Sequence, residues 1–182
     1  IAHSSLSKKA EFLTKFCNIK QNSAIAWLDM QDVEKAVRRD DAGIPVRLSL
    51  DDFRGCYCVG GIDLSRTTDL TAAAVVIERG GINYCIVQFF MPQKRYEVAI
   101  NEENVPYNFF REKGFLTISG ENTVDYHDVF NWFFNLVKAY KIKPLKVGYD
   151  RYSAQYLVQE MKESGFHMDD VYQGTNLTPI LI

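Results

Sequence analysis

The sequence predicts an α/β domain in which a mixed sheet is flanked by helices and preceded by a short helical lead-in. Three observations lead to this fold class: a globular composition, three closely spaced apolar runs of strand length, and a later alternation of strand and helix patterns. The chain has 182 residues, of which 47% are hydrophobic, 24% charged and 13% aromatic. This composition excludes disordered, coiled-coil and collagen-like chains. Folding at this size buries roughly 70% of the surface of the unfolded chain, so we expect one well-packed core.

Residues 1–54 have the pattern of a helical lead-in. One amphipathic helix is predicted within residues 4–17, and a second is predicted to open at Asp29. The positions expected to face inward are Leu6, Ala10, Leu13, Cys17, Val33, Ala36 and Val37. At Gly55 the helical spacing of apolar residues gives way to apolar runs of strand length, so we expect the main domain over residues 55–182. Because the chain begins with Ile and ends abruptly, we expect a piece of a longer polypeptide whose domain is truncated at its C-terminus.

Three apolar runs follow, with short turn-rich connections between them: GCYCVGGIDL at 55–64, LTAAAVVIE at 70–78 and INYCIVQFFM at 82–91. Such close succession predicts an antiparallel meander. Residues 92–114 are polar and contain prolines, which indicates an irregular surface excursion with a short helix at Pro106–Lys113.

Strand and helix patterns alternate in the second half of the chain. FLTIS (115–119) predicts a fourth strand, and Thr123 is expected to cap the helix that follows. Its inward face is predicted to be Tyr126, Val129, Phe130, Phe133, Val137 and Tyr140. LKVGYD (145–150) predicts a fifth, central strand. Ser153 is expected to cap a last helix through Ser164, with a left-handed turn at Gly165.

The inward face of that last helix is predicted to be Tyr156, Leu157 and Met161. The tail HMDDVYQGTNLTP begins a further element. An antiparallel meander followed by strand, helix, strand and helix is the order of the ribonuclease-H-like plan.

The charge balance does not indicate a dedicated nucleic-acid binder, because 21 basic residues stand against 23 acidic ones and the net charge is −2. A local basic groove formed by Arg38, Arg39, Arg47 and Arg54 stays open, although a solvated face is the simpler interpretation of each. No run approaches the ~20 apolar residues of a membrane helix, and the first residues lack a signal peptide. We therefore expect a soluble protein with no membrane partner.

The four cysteines, Cys17, Cys56, Cys58 and Cys85, form no C-x-x-C pair, and only three histidines accompany them. A structural zinc site is therefore not predicted. Buried, reduced thiols are the expected state, and they indicate the cytosol.

Two aspartates follow the strands that we expect to be buried. Asp63 ends the run CYCVGGI, and Asp150 ends KVGY. If the first and fifth strands are neighbours, both carboxylates leave the same edge of the sheet, where like charges repel unless a cation lies between them. Oxygen ligands of this kind suit Mg²⁺ or Mn²⁺, and two such ions roughly 4 Å apart would hydrolyse a phosphodiester of nucleic acid. The alternative is that each aspartate only caps or turns the chain.

Three more residues are candidates for this site. Asp69 lies across the connection from Asp63 and could reach the same metal, although a turn aspartate is an equal alternative. Arg66 and Arg151 each follow a candidate ligand and could contact DNA phosphate or neutralise an aspartate. No G-x-x-x-x-G-K-[ST] loop is present, so the chain itself is not expected to be an ATPase.

The run VGGIDLSRTTDLTAAAVVI resembles the start of the nuclease domain of the large terminase subunits of tailed bacteriophages, in which a G-x-D-L-S segment leads into D-L-T-A. KVGYDRYSAQYLVQEMKESGF is similar to the second signature of that family. The resemblance covers about residues 55–178. It implies a ribonuclease-H-like endonuclease that cuts concatemeric double-stranded viral DNA with two metal ions in the cytoplasm of the bacterial host.

By the same resemblance, Asp63, Asp69 and Asp150 match the family's catalytic acids, and a further aspartate is expected beyond residue 182. The implied partners are double-stranded DNA and, in the full-length protein, an ATPase domain, the small terminase subunit and the portal or procapsid. Two alternatives remain: a catalytically incomplete fragment that binds DNA or the portal, and another ribonuclease-H-like nuclease of the resolvase or transposase type.

Overall fold

A computed structural model describes residues 30–65, 70–150 and 155–171. The chain divides into two compact units between Pro45 and Val46. The first unit contains helix α1 (Met30–Ala36). Val33 and Val37 are half-buried as predicted, but Ala36, the last residue of the short helix, is exposed. The helix predicted over 4–17 and the predicted cap Asp29 lie outside the described residues.

The second unit, Val46–Leu177, is built on a six-stranded sheet with the strand order β4-β3-β2-β1-β5-β6. The strands are β1 (Tyr57–Asp63), β2 (Thr71–Arg79), β3 (Ile82–Met91), β4 (Leu116–Ile118), β5 (Lys143–Asp150) and β6 (Met168–Val171). β1, β2 and β3 form the predicted antiparallel meander. β5 pairs parallel with β1 and with β6, so the prediction that it lies inside the sheet is confirmed.

Four helices and a 3-10 helix accompany the sheet. They are the 3-10 helix Leu50–Phe53, α2 (Gln93–Glu102), α3 (Tyr107–Glu112), α4 (Tyr126–Lys138) and α5 (Gln155–Glu163). The unit starts ahead of the predicted boundary at residue 55, and Phe53 of the 3-10 helix is buried in the main core. None of the helices in the described part of the chain is long and apolar enough to cross a bilayer.

The main core lies between α4 and one face of the sheet. Phe133 of α4 is fully buried and packs against the strip of β1 and β5 that carries Gly60 and Val147. Gly60 is required there, because a Cβ at this position would lie 2.9 Å from Phe133 Cε1 and 3.0 Å from Val147 Cγ2. This contact fixes which face of β1 points toward the helix.

The segment 92–114 is more regular than its polarity predicts. α2 replaces the expected irregular excursion, because Tyr96 and Ala99, three residues apart, share one buried face. They pack with Met91, Tyr107 and Leu116 in a second, smaller core. The charged residues on the other face of α2 obscured this narrow apolar face in the sequence.

Two helix details differ from the sequence predictions. The N-cap of α4 is Asp125 rather than Thr123, because the Asp125 carboxylate accepts a hydrogen bond from the His127 backbone N–H at 2.9 Å. In α5, Leu157 and Met161 are buried as predicted, but the Tyr156 side chain is 93% exposed and Val158 takes its place in the core. The predicted cap Ser153 lies outside the described residues, and Gly165 has the expected left-handed φ of 90°.

The burial of the cysteines agrees only in part with the prediction of buried thiols. Cys58 is buried, and burial raises the pKa of its thiol to about 12. Cys85 is exposed, so the prediction of a buried thiol is wrong there, because its side chain points away from the main core in which the neighbouring Ile86 is buried. Cys56 is half-buried, and Cys17 lies outside the described residues.

Candidate active site

The structure brings the two strand-end aspartates to one edge of the sheet. Asp63 and Asp150 are the last residues of β1 and β5, which lie side by side and parallel. The register pairs Ile62 with Tyr149, so each aspartate lies one residue beyond the last registered pair. Neighbouring strands are about 4.8 Å apart, and side chains at equivalent positions point to the same face. The two carboxylates therefore leave the sheet as neighbours.

Both aspartates lie on the face of the sheet opposite α4. Gly60 and Val147 contact the core beneath α4, and side chains alternate along a strand, so Gly61 and Gly148 point away from it. Asp63 and Asp150 follow this second alternation. Asp63 follows a buried strand as predicted, but the Asp63 side chain itself is exposed. The carboxylate therefore carries no burial penalty that a bound cation would have to offset.

The surface beside the two carboxylates has few side-chain atoms. Ala72 and Ala74 of β2 are registered against Asp63 and Gly61. A Cβ built on Gly61 meets no atom within 4 Å. Glycine and alanine leave a shallow strip here, and a polymer backbone can approach the carboxylates closely.

The chain that leaves β1 is held at both sides of Ser65. The Ser65 N–H donates to the Thr71 hydroxyl at 3.1 Å, and Thr71 is fully buried. The Tyr126 hydroxyl of α4 donates to the Ser65 carbonyl at 2.8 Å. These two hydrogen bonds fix the backbone two residues after Asp63, and with it the direction in which the strand ends.

Among the residues that the structure describes, no third carboxylate joins this pair in a group that could hold a metal ion. Asp69 lies outside the described residues, so its role as a ligand stays a prediction. Asp169 of β6 is on the same face, registered against Gly148, but its carboxylate lies 2.7 Å from Lys146 Nζ. Within 30–65, 70–150 and 155–171, no three His, Cys, Asp or Glu side chains are grouped so that they could hold a metal ion. Among the described residues, Asp63 and Asp150 are thus the pair that could share a metal ion.

The structure describes only some of the other residues near the candidate site. Arg66 and Arg151 lie outside the described residues, so their contact with phosphate stays a prediction. Tyr149 packs against the main core. Arg54 is held by Asp51 and by the Ala139 carbonyl, which agrees with the simpler interpretation of a solvated arginine.

A contact between a histidine and a carboxylate near the same end of the sheet was not predicted from the sequence. His127 Nδ1 lies 2.7 Å from Glu160 Oε1. The two residues are 33 positions apart, on α4 and α5, so no local spacing could have revealed the contact. They line a cleft of about 630 Å³ together with Tyr126 and Tyr156.

The comparisons with known proteins decide the family. A family model described as the terminase large subunit, endonuclease domain, matches residues 1–177. The chain belongs to this family. No curated protein matches the chain.

A solved structure supports the fold of this terminase endonuclease domain. The crystal structure of the HK97 bacteriophage large terminase matches with a TM-score of 0.58 and 21% sequence identity. The match covers 74% of this chain and 30% of that one, so the chain spans less than a third of the length of the HK97 protein. At this identity the likeness shows the fold alone, and the ribonuclease-H-like prediction is confirmed.

Proposed function

We propose that this terminase domain is a Mg²⁺- or Mn²⁺-dependent endonuclease that cuts concatemeric double-stranded viral DNA. The observation that carries the proposal is the placement of Asp63 and Asp150 at equivalent ends of adjacent parallel strands, on one open face. Asp69 is proposed as a further ligand. The family assignment supports an endonuclease, which is a hydrolase.

The residues present suit a hard divalent cation. Carboxylate oxygens are the ligands that Mg²⁺ and Mn²⁺ prefer, and two neighbouring carboxylates repel each other unless a cation lies between them. Two bound ions would activate a water molecule and stabilise the leaving oxygen of the phosphodiester. Asp63 and Asp150 would hold them, and the hydrogen bonds at Ser65 would keep the Asp63 backbone in place.

The shallow strip formed by Gly61, Ala72 and Ala74 supports a long, stiff substrate rather than a small molecule. The carboxylates lie beside this strip, so a DNA backbone can reach them without entering a cavity. In the full-length protein we propose that an ATPase domain, the small terminase subunit and the portal or procapsid bring the DNA to this face. The site of action would be the cytoplasm of the bacterial host.

The test is nicking of supercoiled plasmid with Mn²⁺. Asp63→Asn and Asp150→Asn should each slow nicking by at least about a hundredfold, because each carboxylate would hold a metal ion whose stabilisation of transition-state charge is worth several kcal/mol. In metal-free buffer the melting temperature of each variant should equal or exceed that of the unchanged chain, since one repelled carboxylate is gone. EDTA should abolish nicking by the unchanged chain.

The matched control is Asp52→Asn, an exposed aspartate in the 3-10 helix that precedes β1. Its nicking rate should stay within about twofold of the unchanged chain, because a surface aspartate away from the reacting phosphate stabilises no transition state. Binding of Mn²⁺ measured by titration calorimetry gives a second readout that does not need turnover. Unchanged nicking and unchanged Mn²⁺ binding in both site variants would contradict the proposal.

A further inference from the structure

A cavity of about 370 Å³ lies on the opposite side of the sheet from Asp63 and Asp150. Its walls include Arg47 and Ser49 from the segment that enters the second unit, and Trp132 and Asn135 from α4. Gln88 of β3, which is 3% exposed, lines it from the sheet.

The cavity contains a guanidinium whose charge is not matched. Arg47 is half-buried, and the partner seen for its guanidinium is the neutral backbone carbonyl of Gly114. Within the described part of the chain, no carboxylate lies within ion-pair distance of Arg47. The Trp132 ring also lines the cavity, but its indole Nε1 is buried without accessible surface, so a ligand in the cavity does not reach it.

Burial of Arg47 costs free energy in the empty protein. It lowers the pKa of Arg47, which means that the charged form is less stable here than in water. An anionic oxygen ligand would offset this cost, because it supplies the opposite charge and several acceptors.

The acidic residue in the wall does not cancel this preference. Asp51 lines the cavity, but its Oδ1 accepts hydrogen bonds from Arg54 Nε at 3.1 Å and from Arg54 Nη2 at 2.9 Å. Its charge is therefore already compensated. The hydroxyl of Tyr140, which also lines the cavity, can act as a further donor.

We propose that this cavity binds a phosphate group, held by the Arg47 guanidinium together with donors from Ser49 and Asn135. A guanidinium matches a phosphate with two parallel hydrogen bonds, and hydroxyl and amide groups add donors to the remaining oxygens. The phosphate is either free in solution or part of a nucleic-acid backbone, and both present the same oxygens. The site lies across the sheet from the aspartates, so its occupancy is independent of the proposed cleavage chemistry.

The test follows the Trp132 indole N–H in ¹H–¹⁵N correlation spectra of the chain. The chain has two tryptophans, so Trp132→Phe assigns the signal. Inorganic phosphate should shift this signal saturably, whereas chloride at equal ionic strength should not. Arg47→Gln should weaken phosphate binding about tenfold or more, because a charge-assisted hydrogen bond is worth about 1.5–3 kcal/mol. The matched control Arg79→Gln, which removes an exposed arginine, should leave it unchanged.

Arg47→Lys guards against a folding defect, because it keeps the charge and should bind phosphate more tightly than Arg47→Gln does. A short DNA duplex distinguishes the two sources. Saturable shifts at lower concentrations of duplex phosphate than of inorganic phosphate would support a nucleic-acid backbone, and shifts with inorganic phosphate alone would support a free phosphate. A shift that chloride reproduces, or that saturates at the same phosphate concentration in Arg47→Gln, would overturn the proposal.

Discussion

Gly60 and Gly61 are adjacent in β1, but a Cβ would meet different surroundings at the two positions. Phe133 cannot move away from a Cβ at Gly60, because its ring also contacts Trp132 and Phe166 edge-on. A Cβ at Gly61 has open space. The first glycine thus belongs to the core, and the second belongs to the open face beside Asp63.

Gly60→Ala should therefore lower the free energy of unfolding by about 1–3 kcal/mol, the usual cost of overpacking. Gly61→Ala should leave it equal or raise it by about 0.5–1 kcal/mol, because alanine loses less backbone entropy in a strand. Urea denaturation of both variants measures the difference. Equal stabilities would contradict the assigned faces of β1.

Glu103 lies at the end of α2 and is held by two neighbours. Its carboxylate accepts hydrogen bonds from the Arg95 guanidinium and the Tyr107 hydroxyl, and these lower its pKa. A lowered pKa in the folded chain means that the charged form stabilises the fold above the pKa of the unfolded chain, about 4.3. That stabilisation is lost as the pH falls through the lower, native pKa.

Glu103→Gln should destabilise the chain at pH 7 by no more than about 1 kcal/mol, since a third of the side chain is exposed and solvent screens the charge. The difference from the unchanged chain should shrink as the pH falls below about 4. Thermal unfolding at several pH values measures it, with the exposed Glu112→Gln as the control. A difference that grows toward acidic pH would contradict this contact.

At the scale of elements, α4 connects the core to the candidate site. Its middle carries Phe133 into the core, and its first residue, Tyr126, bonds to the Ser65 carbonyl just after Asp63. Tyr126 is thus a positioning residue for Asp63 under the proposed function. It contacts the loop rather than the reacting phosphate.

Tyr126→Phe removes the hydroxyl and keeps the ring. The Mn²⁺ concentration for half-maximal nicking should rise about two- to tenfold, because a hydrogen bond is worth about 0.5–1.5 kcal/mol. The rate at saturating Mn²⁺ should change less. Tyr96→Phe is the control. Tyr96 lies in the second core, and its hydroxyl donates a hydrogen bond to Asn108. An equal effect of both variants would show a general loss of stability instead.

Some elements could be predicted from local sequence and others could not. β1, β2 and β3 are apolar runs bounded by turn residues, so the local sequence pattern was sufficient to predict these strands. α2 was missed because its buried face contains only Tyr96 and Ala99 among charged residues. The cap of α4 was misplaced because Thr123 and Asp125 are both good capping residues, and only the backbone geometry selects Asp125.

At the scale of the whole molecule, the candidate site follows from topology. The sequence showed two aspartates at strand ends, and the strand order brings those ends together because β5 pairs with β1. The contact of His127 with Glu160 and the cavity at Arg47 could not be predicted, since each joins segments far apart in the chain. Long-range contacts of polar side chains leave no periodic signal in a sequence.

The central claim is that Asp63 and Asp150 share a divalent metal. The most direct measurement is anomalous scattering from a crystal of this chain soaked in Mn²⁺. We expect a peak between the two carboxylates on the open face of the sheet, within coordination distance of both. Carboxylates too far apart to share an ion, or a Mn²⁺ peak elsewhere with none at this edge, would contradict it.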